Sequence, residues 1–401
     1  MTVALVSACG GGGGGGGGNN PPPPPPPPVS ADDARRAVLL DIGEQIVLPA
    51  LRDFDADAMA LQAAATAFAA APTDVAARDA VRAAWHTAMD SWQRNEVLQV
   101  GPAGRSSNPD AVAGGQDFRE FIYSWPFTLN ACGLEEAADT GAPVNAATSI
   151  DITGMGALEH LLFTDTPPVS CASQPDAAAR AVHVVRLADR IAILSAALLD
   201  RWEPTGDNFL QQWATAGEST SVTYAAPQEA LDALSIALFY VEKQSKDRKI
   251  ALPTGLPATG LTCSDPIACP EFLESRLSQR SGTNLVINLQ VFRDIFTGVN
   301  GQMGMNDLLI GINRQDLADQ VVTELDAALA AINAIESGIG FDAEVEAIAD
   351  ADECVNAFSS STGLAPCALL GVTKTAMDTF RGPIVSALSL AVPSSSAGDN
   401  D

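Results

Sequence analysis

Three histidines in 401 residues leave little imidazole for chemistry, and no His-Glu-x-x-His sequence is among them. The zinc-peptidase arrangement of two histidines one helical turn apart with a general-base glutamate is therefore not written in the chain. No Cys-x-x-Cys pair occurs, which argues against a thiolate zinc site. Glycine is plentiful, yet no phosphate-binding loop ends in Lys-Ser/Thr, and neither a nucleophile elbow nor a Ser-His-Asp order is present. Positive charge is scarce too: 22 Lys and Arg against 49 Asp and Glu give a formal charge of -27. Such a surface repels nucleic acid and anionic headgroups and favours a cationic ligand, a metal ion or a basic peptide. No later stretch is long and apolar enough to span a bilayer.

What the chain does have begins at its N-terminus. Val6, Ser7, Ala8 and Cys9 form the small-residue pattern of a bacterial lipobox, making Cys9 the expected lipidation site. Few apolar residues precede it, so residues 1–9 read as a truncated lipoprotein signal whose start lies upstream. Gly10 to Gly18 are all glycine, and Pro21 to Pro28 are all proline. A flexible coil followed by a polyproline II rod of about 3.1 Å per residue reaches roughly 25 Å, so residues 10–29 read as a tether holding a folded body off a membrane. The expected location is the cell envelope, on a periplasmic or outer-membrane face. Six cysteines remain once Cys9 carries lipid, and an exported chain is expected to oxidise them. Proximity pairs Cys132 with Cys171, Cys263 with Cys269, and Cys354 with Cys367, although six cysteines permit fifteen connectivities.

Almost every periodic segment has helical spacing, rich in Ala, Leu, Glu, Gln and Arg, so the fold class is all-α. Ser30 opens a helix that runs to Pro49; a second covers about Asp55 to Ala70; Thr73 caps a third carrying Val81, Trp85, Met89 and Trp92. The longest pattern runs from about Pro175 to Trp202. A second set is expected to begin near Pro227, with Leu231, Leu234, Leu238 and Val241 on its apolar side, and to continue at Leu285–Phe296, Asn306–Ile335 and Pro366–Leu390. Two helical bundles, residues 30–220 and 221–393, fit this pattern, with a polar tail at 394–401 expected to be disordered.

The segment Gly154-Met-Gly-Ala-Leu-Glu-His-Leu-Leu-Phe163 closely resembles the signature helix of the imelysin family. Trp92-Gln-Arg94 with Gly101-Pro102, Trp125-Pro126, and Glu274-Ser-Arg-Leu-Ser278 resemble further family stretches in the same order. The resemblance implies an envelope protein of two helical bundles with a site near their junction, associated with iron uptake or described as a metallopeptidase. Cofactor candidates are then a divalent metal or iron, and ligand candidates are iron, haem or another cation. In the fuller family motif, Gly-x-His-x-x-Glu places two metal ligands three residues apart on one helical face. Here Gly154 and Glu159 match, but Gly156 stands at the histidine position, which removes the imidazole. His160 points about 100° away from Glu159 and is a poor replacement.

Glu159 lies among Met155, Leu158, Leu162 and Phe163, where a carboxylate needs a partner. Three readings stay open: an ion pair with Arg94, Arg186 or Arg276, a ligand contact, or a role in metal binding or catalysis. Gly156 makes room for a ligand or a close helix. Glu274, Ser275 and Ser278 form either a polar patch facing Glu159 or the cap of the next helix. The pair His86 and Asp90, one turn apart, and His183 with Arg186 read as structural, the latter at the bundle surface or interface. Trp92, Trp125 and Trp202 read as core anchors.

Overall fold

The computed structural model describes residues 30–107, 111–124, 128–256, 268–349, 354 and 363–394. Cys9, the Gly/Pro tether, Trp125, Pro126, Cys263 and nearly all of the 394–401 tail lie outside these residues. The described residues are helical, with no strand among them.

Ser30 accepts the Asp33 N–H and starts α1 (Ala31–Ile42). The sequence suggested a stop near Pro49 and a fresh start at Asp55. Instead the chain widens into a π turn at Gly43–Val47, in which the Leu48 N–H reaches the Gly43 carbonyl, and α2 (Leu48–Ala70) follows at once. Pro49 has no N–H to give, and its place in the first turn of α2, directly after the wide turn, removes the clash that ends most helices at proline. Asp74, not Thr73, caps α3 (Val75–Glu96) by accepting from Ala76 and Ala77. Next come α4 (Phe118–Ile122), α5 (Ala131–Thr140), α6 (Gly154–Phe163), α7 (Ala177–Trp202) and α8 (Phe209–Ala214).

In the second half, α9 (Pro227–Tyr240) runs directly into a π-helical stretch, Val241–Ala251. After it come α10 (Ser281–Thr297), α11 (Met305–Gly311), α12 (Gln315–Glu336), α13 (Phe341–Glu346), α14 (Ala365–Thr379) and α15 (Val385–Leu388). The single helix expected over Asn306–Ile335 is thus two, separated where Asn313 adopts φ +60°. The stretch expected as one helix to Leu390 passes through a π turn at Phe380–Ile384, which holds Pro383.

Packing falls into two groups. α2 lies on α3 and α7, with α6 against α3 and α7, while α12 lies on α10 and α14, with α14 against the π-helical stretch. α10 packs on α3, and α1 packs on α9 and α11, so one apolar core runs through both groups. Cys132–Cys171 fastens α5 to the loop before α7, and Cys354–Cys367 fastens the first turn of α14. Cys269 is also disulfide-bonded; its expected partner, Cys263, lies outside the described residues.

Candidate functional site

The motif helix α6 is held at both ends. Gly154 begins it with φ +81°, and a Cβ there would stand 2.7 Å from the Ile122 carbonyl oxygen, so only glycine lets α6 start against the end of α4. From α3, Trp85 Nε1 donates to the Met155 carbonyl at 3.0 Å and Arg82 Nε to the Leu162 carbonyl at 2.7 Å. This clamping turns Glu159 inward, where it is 4% exposed.

Glu159 meets serine, not arginine. Its Oε1 accepts the Ser278 N–H at 3.0 Å and the Ser278 hydroxyl at 2.8 Å. Burial pushes its carboxyl up to about 7; the Ser278 hydrogen bonds oppose the rise, and the charges of Glu274 and Asp342 add to it. The arginines offered as partners are elsewhere: Arg94 pairs with Asp53 at 3.0 Å on the exposed side of α3, and Arg276 pairs with Glu346 at 3.4 Å. Arg186 forms no ion pair with Glu159 among the described residues, and its side chain approaches Gly141 instead. Helical periodicity explains the miss for Arg94, because the neighbouring Gln93 faces inward while Arg94 faces out.

His160 belongs to a different contact. Its Nε2 lies 2.8 Å from Glu135 Oε1, and Arg180 Nε lies 3.2 Å from the other oxygen, so a buried carboxylate joins α5, α6 and α7 away from Glu159. His86 stacks on Phe163 rather than pairing with Asp90, which is bonded to Arg280. His183 is buried, not at a surface, and burial pushes its imidazole down to about 4. A Cβ on Gly156 would meet only the Tyr123 ring at 3.8 Å and the Ser124 carbonyl oxygen at 3.9 Å.

The centre of the junction is Glu274, 1% exposed. Its Oε1 accepts from Gln93 Nε2 and the Tyr123 hydroxyl, each at 3.0 Å; its Oε2 accepts from Lys249 Nζ at 2.9 Å and Asn284 Nδ2 at 3.0 Å. Lys249 also donates to Gln93 Oε1 at 2.9 Å and Asn288 Oδ1 at 2.7 Å. Burial pulls the Lys249 ammonium below its ordinary value, against the pull of Glu274 and Glu96. Ser275 receives Asn284 Nδ2 at 3.1 Å, and its own N–H meets Ser281 Oγ. Glu274, Ser275 and Ser278 therefore sit with Glu159 at one junction, whereas Arg94 and His160 do not join it.

A second buried acid, Glu96, lies on the far side of this network. Arg119 donates to its Oε1 through Nη2 at 2.7 Å and Nε at 3.1 Å, and the Tyr240 hydroxyl donates at 3.2 Å. Arg119 and Tyr240 also form part of the wall of an open cavity of about 370 Å³ between the α4 region and the end of α9.

Metal ligation fits these side chains poorly. Gly156 offers no imidazole, and Glu274 is saturated by four donors, one of them an ammonium. Among the described residues no three His, Cys, Asp or Glu side chains converge as a ligand set.

Sequence reading missed Gln93, Glu96, Arg119, Tyr123, Lys249, Asn284 and Asn288. A signal existed: the buried stripe of Leu231, Leu234, Leu238 and Val241 continues at helical spacing as Glu242, Ser245 and Lys249. Polar residues on a face that has just been apolar mark a buried network.

An all-α architecture with a buried polar junction between two helical groups is the class of protein this geometry defines. A sequence model described as Imelysin matches residues 47–359, and the chain belongs to that family. It is 30% identical over 164 residues to iron-regulated protein A of Synechococcus elongatus, a match covering 41% of this chain and only 39% of that protein. Two solved structures share the fold. An imelysin-like protein from Psychrobacter arcticum superposes with a TM-score of 0.66 at 14% identity, covering 90% of this chain and 97% of that one. A candidate iron-regulated protein A precursor from Parabacteroides distasonis gives 0.64 at 18% identity, covering 87% and 95%.

Proposed function

We propose that this protein is an envelope lipoprotein, anchored through Cys9, that binds a small ligand at the junction of its helical groups and serves iron acquisition as an accessory protein. One observation carries the binding role: the cavity of about 370 Å³ opens beside the buried acid Glu96, whose donors Arg119 and Tyr240 line its wall. A concave site with a few convergent polar groups is the usual form of a small-molecule site. The link to iron rests on the names of the relatives, and the anchor rests on the small-residue run before Cys9.

The second reading is a metallopeptidase of the imelysin type, favoured by the retained Glu159 of the motif. Against it stands the donor set, in which Glu159 is held by a serine and Glu274 by four donors. Metal analysis of protein purified without chelator, with a peptidase assay in added zinc or iron, separates the two. The expected result is ligand retention without turnover, read by native mass spectrometry of protein recovered from the envelope. Chelator-sensitive cleavage lost in Glu159→Gln reverses the ranking. Cys9→Ser is expected to release the protein from membranes with its helices intact.

A further inference from the structure

We infer that the junction cavity takes a small molecule carrying two or more oxyanion groups, carboxylate or phosphate, which bridges the two helical groups. The inference rests on the binding role proposed above and names its ligand class. It runs against the charge of the whole protein, which is -27. The cavity gathers Arg105, Arg119, Lys243 and Arg248, four of the chain's 22 Lys and Arg, and among the described residues its lining holds one carboxylate, Glu120.

That one acid is shared. Glu120 Oε1 lies 3.3 Å from Arg119 Nη1 and 4.0 Å from Arg105 Nε, and the rest of the Arg119 guanidinium is turned to Glu96 behind the wall. Arg248, half-buried on the opposite wall, has neither a hydrogen bond nor an ion pair among the described residues. Burial and the neighbouring Arg119 both pull its guanidinium below the ordinary arginine value. An anion placed beside Arg248 offsets that cost, adding to the smaller opposing pull of Asp247 and Glu120.

The two cationic edges lie on different parts of the chain. Arg105 lies in the loop before α4 and Arg119 in α4, while Lys243 and Arg248 come from the π-helical stretch after α9. A monoanion satisfies one edge, whereas a diacid can meet both through guanidinium forks matched to carboxylate or phosphate oxygens. Ile236 and Phe239 supply an apolar wall for the carbon skeleton. The volume sits near the lower end of the roughly 300–1,000 Å³ typical of small-molecule sites, which suits a compact ligand. At physiological salt the screening length is about 8 Å, so these cations govern the cavity even though the surface beyond is acidic.

Titration calorimetry on the folded protein tests this with citrate, pyrophosphate and acetate, alongside Arg248→Gln, Arg105→Gln and the remote control Arg201→Gln. The two arginines are chosen because Arg119 braces buried Glu96, and each variant's melting curve is recorded to certify folding. Citrate or pyrophosphate is expected to bind below about 1 mM, acetate far more weakly, with Arg248→Gln and Arg105→Gln each costing about tenfold or more at an unchanged fold. Preference between citrate and pyrophosphate tells carboxylate from phosphate ligands. Absence of binding by either polyanion, or binding indifferent to both arginine variants, overturns the inference. A ligand retained from the envelope whose affinity is unchanged or improved in Arg248→Gln also overturns it while leaving the binding role intact; a cavity that takes nothing removes both.

Discussion

Glu274 and Glu159 are both buried glutamates at one junction, and they have been treated in opposite ways. Glu274 has four donors, including an ammonium, so its charge is compensated where it stands. Glu159 has one residue, Ser278, on one of its oxygens, and its carboxyl rises to about 7. Burial raises a carboxyl, and the hydrogen bonds from Ser278 oppose that rise at Glu159 without cancelling it. The first acid is built to hold structure, and the second is left with a cost that a proton can remove.

The largest effect is expected on breaking the compensated side. Glu274→Leu leaves Lys249 with an uncompensated buried charge and should cost about 3–5 kcal/mol in urea unfolding. Adding Lys249→Met should recover part of that loss. A double variant as unstable as the sum of the singles would mean that the pair is not the organising contact.

Glu159 should show itself through pH. Its folded value lies above the ordinary 4.5, so the native state holds the proton more tightly and stability falls as pH rises from about 4.5 to 7. The swing is about 3 kcal/mol, and Asp342, raised to about 6 by burial, contributes with the same sign. Glu159→Gln should flatten the Glu159 part of this slope and be no less stable than wild type above pH 7. Parallel slopes in the two proteins would show that Glu159 is compensated after all.

Ser278→Ala sharpens the contrast, since it removes one of the two hydrogen bonds to Glu159. Above pH 7 it should cost about 1.5–3 kcal/mol, and below pH 5 much less, because the lost bond serves the charged form. Equal losses at both ends of the range would assign Ser278 to packing instead. Gly156→Ala is the mildest change. Its Cβ finds ordinary contacts with Tyr123 and Ser124, so replacing a helical glycine should stabilise the fold by up to about 1 kcal/mol, read as a small rise in melting temperature. A loss of stability there would mean that the contacts over α6 are tighter than 3.8 Å implies.

The all-α class, the family and the approximate span of α7 and α10 were legible in the sequence, which suggested the pairs Cys132–Cys171 and Cys354–Cys367 by proximity but left fifteen connectivities open. Class, family and helix spans follow from periodicity and motif order, which are local, whereas Cys132 and Cys171 stand 39 residues apart and meet only in the fold. The sequence also marked Glu159, Glu274, Ser275 and Ser278 as worth attention, without saying which touches which. Packing of distant helices brings Ser278, 119 residues away, to Glu159, and Gln93, Tyr123, Lys249 and Asn284 to Glu274. Helix phase alone sent Gln93 inward and Arg94 outward, and the two π turns beside proline shifted register where a local rule ends the helix. Compensation of a buried charge depends on which donors the packing of distant helices brings within about 3 Å, and no spacing along the chain encodes that distance.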